Sequence, residues 1–93
     1  MINTHLSGSS LSQVLLSSQA RHVFVDAACL PRVVALPECA GLTVWAHGDA
    51  AELPPHVEPL DAALAAADPS EPVMPDVRCR DVFLYIYTSG TTG

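Results

Sequence analysis

Basic side chains are scarce in this chain of 93 residues, which has four arginines and no lysine against ten aspartates and glutamates. The formal net charge is −6 at neutral pH, and the isoelectric point is near 4.8. A nucleic-acid binder neutralises many phosphates with Lys and Arg, and this chain has too few of them. We therefore expect no nucleic-acid partner, and no basic cluster is present to bind an anionic membrane surface.

Long apolar runs and paired cysteines are also missing. No stretch approaches the ~20 apolar residues of a membrane-spanning helix, and the opening MINTHLSGSS lacks the basic and apolar segments of a secretory signal. Cys29, Cys39 and Cys79 are widely spaced and form no C-x-x-C pair. The four histidines form no i, i+4 pair either, so we expect no metal site. Reduced thiols in a cytoplasmic protein are the simplest interpretation.

The residues that are present have the composition and order of a small α/β protein. The chain is 49% hydrophobic and 15% charged, unlike a disordered chain, and its length allows one domain at most. Helices are predicted at about residues 10–19 and within ACLPRVVALPECA and PLDAALAAA. Strands are predicted within RHVFVDA, GLTVWA and DVFLYIYTS, and HGDAAELPPHVEP is predicted to be a loop. Alternating helices and strands indicate a parallel sheet with helical crossovers.

Three details of this prediction can be checked directly. Ser9 or Ser10 is the expected cap of the first helix. The continuous apolar run from Val23 to Val25 is typical of a strand buried on both faces. The run from Val82 to Tyr87 is expected to be the strongest strand of the chain. Three parallel strands with three short helices leave a sheet face poorly covered, so we interpret the chain as a partial sheet, a slice of something larger.

Two groups of charged side chains bear on where a site lies. Four acidic residues in or next to the predicted loop HGDAAELPPHVEP are interpreted as a solvated face: Asp49, Glu52, Glu58 and Asp61. Arg78 and Arg80 precede the last predicted strand. A strand of about seven residues spans roughly 23 Å, so we expect both arginines to lie out of reach of a phosphate at its other end.

The most specific stretch of the sequence is TSGTTG, residues 88–93. Ligands of α/β sheets bind outside the carboxyl ends of strands, which is where this stretch is predicted to lie. Gly90 and Gly93 permit positive φ angles and close approach of a ligand. Successive backbone N–H groups form anion-binding nests in such turns. Hydroxyl donors come from the other four residues: Thr88, Ser89, Thr91 and Thr92. The pattern favours a polyphosphate-binding loop over an ordinary Ser/Thr/Gly turn, and it is not a Walker A loop.

The heptapeptide YTSGTTG resembles the phosphate-binding signature of the adenylate-forming (AMP-binding) superfamily, which includes acyl-CoA synthetases, luciferases and peptide-synthetase adenylation domains. The longer DVFLYIYTSGTTG is similar to the fatty acid transport protein and very-long-chain acyl-CoA synthetase branch. INTHLSGSSLSQVLLSSQARHVFVD resembles the same branch more weakly. The resemblance implies that residues 1–93 are a fragment of the large N-terminal domain of such an enzyme. Residues 88–93 would then hold the β- and γ-phosphates of ATP.

The resemblance also implies an activity for the parent protein. Members of this branch use ATP and Mg²⁺ to convert a fatty acid into an acyl-adenylate, and then transfer the acyl group to coenzyme A. The lysine that follows the family loop, the Mg²⁺-binding acidic motif and the C-terminal domain have no counterpart in residues 1–93. We therefore expect an internal fragment of a fatty acid–CoA ligase that has no catalytic residue of its own and is inactive alone. The parent is expected in the cytoplasm, peripheral to a membrane at most.

Two alternatives remain open at this point. The first is a small α/β module that binds a phosphate ligand without catalysis. The second is a fragment of another adenylating enzyme, such as a peptide-synthetase adenylation domain. Both contain the same loop, and the acyl-pocket residues that separate the branches of the superfamily are not among residues 1–93.

Overall fold

The computed structural model describes residues 1–49 and 52–88. Within these ranges the helices are α1 (Gly8–Ser18), α2 (Leu30–Val34) and α3 (Leu60–Ala66), and a 3₁₀ helix spans Pro37–Gly41. The strands are β1 (His22–Asp26), β2 (Thr43–His47) and β3 (Val57–Pro59). The predicted α/β class is therefore confirmed.

The three strands form one parallel sheet in the order β1-β2-β3. Phe24 lies opposite Trp45 in the first pair, and Val44 lies opposite Val57 in the second. The connection from β1 to β2 passes through α2 and the 3₁₀ helix, so the predicted helical crossover is also confirmed. The connection from β2 to β3 covers residues 48–56, which is short for a parallel pair.

The core lies between one face of the sheet and the helices that precede β2. Val44, Ala46 and Val57 face inward from the strands. Leu11 and Leu15 of α1 lie four residues apart, so both point to the same side of the helix and are buried there. The remaining buried residues come from α2 and the 3₁₀ helix: Leu30, Val33 and Cys39.

The opposite face of the sheet is largely open. In β1 the even-numbered residues His22, Phe24 and Asp26 are exposed, whereas Val23 and Val25 are half-buried. Phe24 retains 66% of its accessible surface. The prediction that β1 is buried on both faces is therefore wrong, since its side chains alternate between the core and this open face.

Three further predictions need correction. The run from Val82 to Tyr87 forms no strand and no helix. β3 lies within the stretch that was predicted to be a loop. Ser9 and Ser10 lie inside α1 rather than at its cap, which is Ser7, and the Ser7 side chain makes no capping hydrogen bond. At the other end of α1, Gln19 adopts the left-handed conformation and its N–H donates to the carbonyl oxygen of Leu16.

None of the helices in the described ranges has both the length and the apolar character needed to cross a membrane. α1, the longest of them, has 11 residues.

Candidate phosphate-binding segment and the carboxyl edge of the sheet

The predicted phosphate-binding loop falls mostly outside the described residues. Thr88 is described, and its side chain is exposed. The other five predicted ligands lie outside the described ranges: Ser89, Gly90, Thr91, Thr92 and Gly93. Their role therefore stays a prediction that rests on the sequence.

The segment that leads into the loop is held by its backbone rather than by its side chains. The Met1 amino group donates to the carbonyl oxygen of Tyr85 at 2.8 Å. The N–H of Tyr87 donates to the carbonyl oxygen of Met1 at 3.4 Å. These two hydrogen bonds have the pattern of a parallel ladder, with Met1 opposite Ile86. Thr88 therefore follows directly on a short stretch whose position is fixed by residue 1.

The carboxyl ends of β1 and β2 meet at one edge of the sheet, where Asp26 lies opposite His47. Asp61, in the first turn of α3, reaches this edge. One of its carboxylate oxygens lies 2.7 Å from Nδ1 of His47, and the other accepts a hydrogen bond from the Gly48 N–H at 2.7 Å. Gly48 has a φ of +90°, which favours glycine at the turn that aims its N–H at the carboxylate.

Asp61 is ionised in this arrangement. The hydrogen bond from the Gly48 N–H, and then the one with His47, lower the pKa of the Asp61 carboxyl below its usual value. An ionised carboxylate only accepts hydrogen bonds, so Nδ1 of His47 is the donor in this contact. Asp61 is exposed, as the prediction of a solvated acidic face requires, and it additionally makes these two hydrogen bonds. Its position in the first turn after Pro59 was the only sequence signal of a special role.

Arg32 is a cationic side chain in the last turn of α2. Its guanidinium donates to the carbonyl oxygen of Thr4 and lies 3.9 Å from the Cys29 sulfur. It borders a cavity of about 130 Å³ that is also lined by Asp26 and by Leu11 and Leu15 of α1. Arg32 therefore anchors the N-terminal segment to α2.

The two arginines near the last predicted strand occupy an irregular segment. The guanidinium of Arg78 forms an ion pair with Asp76 at 3.3 Å, and the Arg78 N–H donates to Asp81 at 2.7 Å. Because Val82–Tyr87 forms no strand, the expected strand-length separation of Arg78 and Arg80 from the loop does not apply to this structure. The Asp76 pair is well exposed, and such pairs contribute little to stability.

Comparison with models of known protein families finds none that matches the chain, and no solved structure matches it. Within residues 1–49 and 52–88, no three His, Cys, Asp or Glu side chains are grouped closely enough to hold a metal ion. All three cysteines fall in these ranges and carry free thiols, with Cys39 buried, Cys29 half-buried and Cys79 exposed.

Proposed function

We propose that this chain is part of the N-terminal domain of an adenylate-forming enzyme of the fatty acid–CoA ligase class, with residues 88–93 as its phosphate-binding loop. The observation that carries the proposal is the heptapeptide from Tyr87 to Gly93. The parallel sheet with a helical crossover is of the α/β class that the proposal requires, and Val82–Tyr87 is not one of its three strands.

The proposed role of the loop follows from its donors. Four hydroxyl groups and the intervening backbone N–H groups supply hydrogen-bond donors to phosphate oxygens, and no carboxylate within the loop repels them. In the proposed reaction, the fatty acid carboxylate attacks the α-phosphorus of ATP and pyrophosphate leaves. The coenzyme A thiol then attacks the acyl carbon and AMP leaves. The loop contributes by holding the β- and γ-phosphates so that the leaving group is aligned.

Hydroxyl and amide groups suit phosphate oxygens, whereas Mg²⁺ prefers carboxylates and water. The described residues offer no grouped carboxylates for a metal ion, so Mg²⁺ is assigned no ligand in this chain and would arrive bound to the nucleotide. Residues 88–93 also include no lysine or arginine to neutralise charge in the transition state. We therefore propose that the chain binds polyphosphate weakly and does not catalyse adenylation alone.

The test is ATP binding by the 93-residue chain, measured by NMR chemical-shift changes with increasing nucleotide. Ser89→Ala removes one hydroxyl from the proposed loop, and Ser70→Ala removes one from an exposed turn outside it. We expect Ser89→Ala to weaken ATP binding several-fold and Ser70→Ala to leave it unchanged. If the chain does not bind ATP, or if the two variants bind it equally well, the phosphate-loop proposal is wrong.

Catalysis is tested separately by incubating the chain with ATP, Mg²⁺ and palmitate and analysing the products by mass spectrometry. We expect no palmitoyl-adenylate. Its detection would contradict the proposal that the chain alone is inactive, without affecting the proposal for the loop.

A second candidate function is a free-standing module that binds phosphate without catalysis. It is favoured by the core, in which α1, α2, the 3₁₀ helix, β2 and β3 contribute buried residues and the half-buried Val23 and Val25 of β1 pack against them. A module of this kind unfolds in one cooperative transition, with the same midpoint by circular dichroism and tryptophan fluorescence. A gradual transition with unequal midpoints would exclude it.

A further inference from the structure

The segment Val82–Tyr87 is an exposed apolar stretch. In the extended conformation that strand pairing requires, side chains alternate between the two sides of the chain, so pairing would place the even-numbered positions on an aliphatic side and the odd-numbered positions on an aromatic side. The aliphatic side consists of Val82, Leu84 and Ile86, and the aromatic side of Phe83, Tyr85 and Tyr87. Phe83 retains 93% of its accessible surface, and all the others except Tyr87 are also exposed.

The backbone of this segment is paired along one edge only. The carbonyl of Tyr85 and the N–H of Tyr87 bond to Met1. In an extended chain the backbone groups of neighbouring residues point in opposite directions, so those of Leu84 and Ile86 point away from Met1. They make no backbone hydrogen bond to any other residue of the described ranges. Among residues 1–49 and 52–88, one edge of the segment is therefore paired with Met1 at two backbone groups, and the other edge has no backbone partner.

We propose that Val82–Tyr87 is a self-association site, and that its partner is the same segment of a second copy in antiparallel pairing. The segment has no charged residue, no proline and no glycine, so two copies meet there without repulsion and with strong β-forming side chains. With Leu84 opposite Leu84 of the other copy, Val82 lies opposite Ile86 and Phe83 lies opposite Tyr85. Aliphatic residues thus meet aliphatic ones and aromatic residues meet aromatic ones, which are favourable cross-strand pairs.

The geometry selects a closed dimer over a fibre. Asp81 adjoins the segment, and parallel in-register pairing would place two Asp81 carboxylates side by side, whereas antiparallel pairing separates them. Both copies use the same edge, and Met1 pairs with the other edge of each at Tyr85 and Tyr87. Such an isologous contact closes on itself.

The open face of the sheet is the competing surface. There Trp45 stacks on Phe24, with ring centroids 6.3 Å apart, and its indole N–H donates to His22. These aromatic side chains already contact one another, and residues of α3 lie beside them. The side chains of Val82–Ile86 are exposed and have no such cover from the residues that the structure describes, so we assign the contact between copies to this segment.

Three variants of the full chain distinguish contact through Val82–Tyr87 from contact through the open face of the sheet. Each variant adds one negative charge at an exposed apolar residue at neutral pH, so they differ only in where the charge lies. Phe83→Asp lies in the proposed contact, Phe24→Asp on the open face, and Val73→Asp in the irregular connection, where Val73 is 98% exposed. Sedimentation velocity over a range of concentrations measures the association. We expect a concentration-dependent dimer in the wild type, its loss in Phe83→Asp, and its retention in the other two variants.

The register is tested by Leu84→Cys in a Cys79→Ser background, with Val73→Cys in the same background as control. Leu84→Cys is expected to form a disulfide-linked dimer on mild oxidation, and the control to form much less. A wild type that is monomeric at every concentration, or loss of the dimer in Phe24→Asp but not in Phe83→Asp, would overturn the proposal. Fibres that bind thioflavin T and diffract at about 4.7 Å would overturn the closed dimer, since they require a second open edge.

Discussion

The core can be tested by one pair of substitutions within α1. Leu15 is 4% exposed and packs in the core, whereas its neighbour Leu16 is 61% exposed. Replacing either by alanine changes the same side chain in the same helix, so the intrinsic helix propensity changes by the same small amount. The two variants therefore differ only in whether a buried side chain is removed.

The magnitude follows from burial. Truncating a buried leucine costs about 2–5 kcal/mol, because transfer free energy is lost and a cavity is left. A chain of 93 residues has a free energy of unfolding of roughly 5–14 kcal/mol, at about 0.05–0.15 kcal/mol per residue. Leu15→Ala should therefore remove a large part of the stability, whereas Leu16→Ala should stay within about 0.5 kcal/mol of the wild type.

Urea unfolding followed by Trp45 fluorescence measures both variants. We expect the midpoint of Leu15→Ala to fall with little change in the m-value, and the melting temperature to fall by at least about 8 °C, at roughly 4–8 °C per kcal/mol for a domain of this size. The midpoint of Leu16→Ala should match that of the wild type. Equal destabilisation by the two substitutions would refute the assignment of Leu15 to the core and with it the described packing of α1.

Three further predictions concern single side chains. Burial raises the pKa of the Cys39 thiol and shields it from solvent. A thiol reagent should therefore modify the exposed Cys79 in the folded chain, and should modify Cys39 only after the chain unfolds. A hydrogen bond from the Ser12 hydroxyl to Glu38 at 2.6 Å lowers the Glu38 pKa, so Ser12→Ala should raise that pKa in an NMR titration. The Glu38 contribution to stability is present above its unfolded-state pKa and is lost as the pH falls through the lower folded-state value, and Ser12→Ala should reduce this dependence. Asp61→Asn should shift the amide resonance of Gly48, because the carboxylate that accepts this N–H is gone. It should also abolish the change in that resonance at acidic pH that protonation of Asp61 causes.

The sequence predicts the fold where a local pattern and its tertiary partner agree. The leucine spacing of α1 and the apolar run of β2 each match a surface that the chain itself covers. β3 escaped prediction because Val57 is its only buried residue and prolines surround it. Its strand character comes from pairing with β2 rather than from its own composition.

Val82–Tyr87 shows the opposite failure. Its six residues have the strongest β propensity in the chain, yet a strand also needs a neighbour that supplies a ladder of hydrogen bonds. Within the described residues, Met1 alone pairs with this segment. The candidate site was only partly predictable from the sequence. The motif of residues 88–93 is visible in the sequence, whereas the contact between His47 and Asp61 depends on how α3 packs beside β2.

The positions of the paired strands along the chain have a consequence for biosynthesis. Every strand pairing of the sheet joins residues between His22 and Pro59. A ribosome releases the chain from its N-terminus, so the three strands and their crossover emerge before Val82 is exposed. A nascent chain that has been extended just beyond α3 already holds all the partners of this sheet. The segment with the proposed phosphate motif therefore leaves the ribosome after every strand of the sheet.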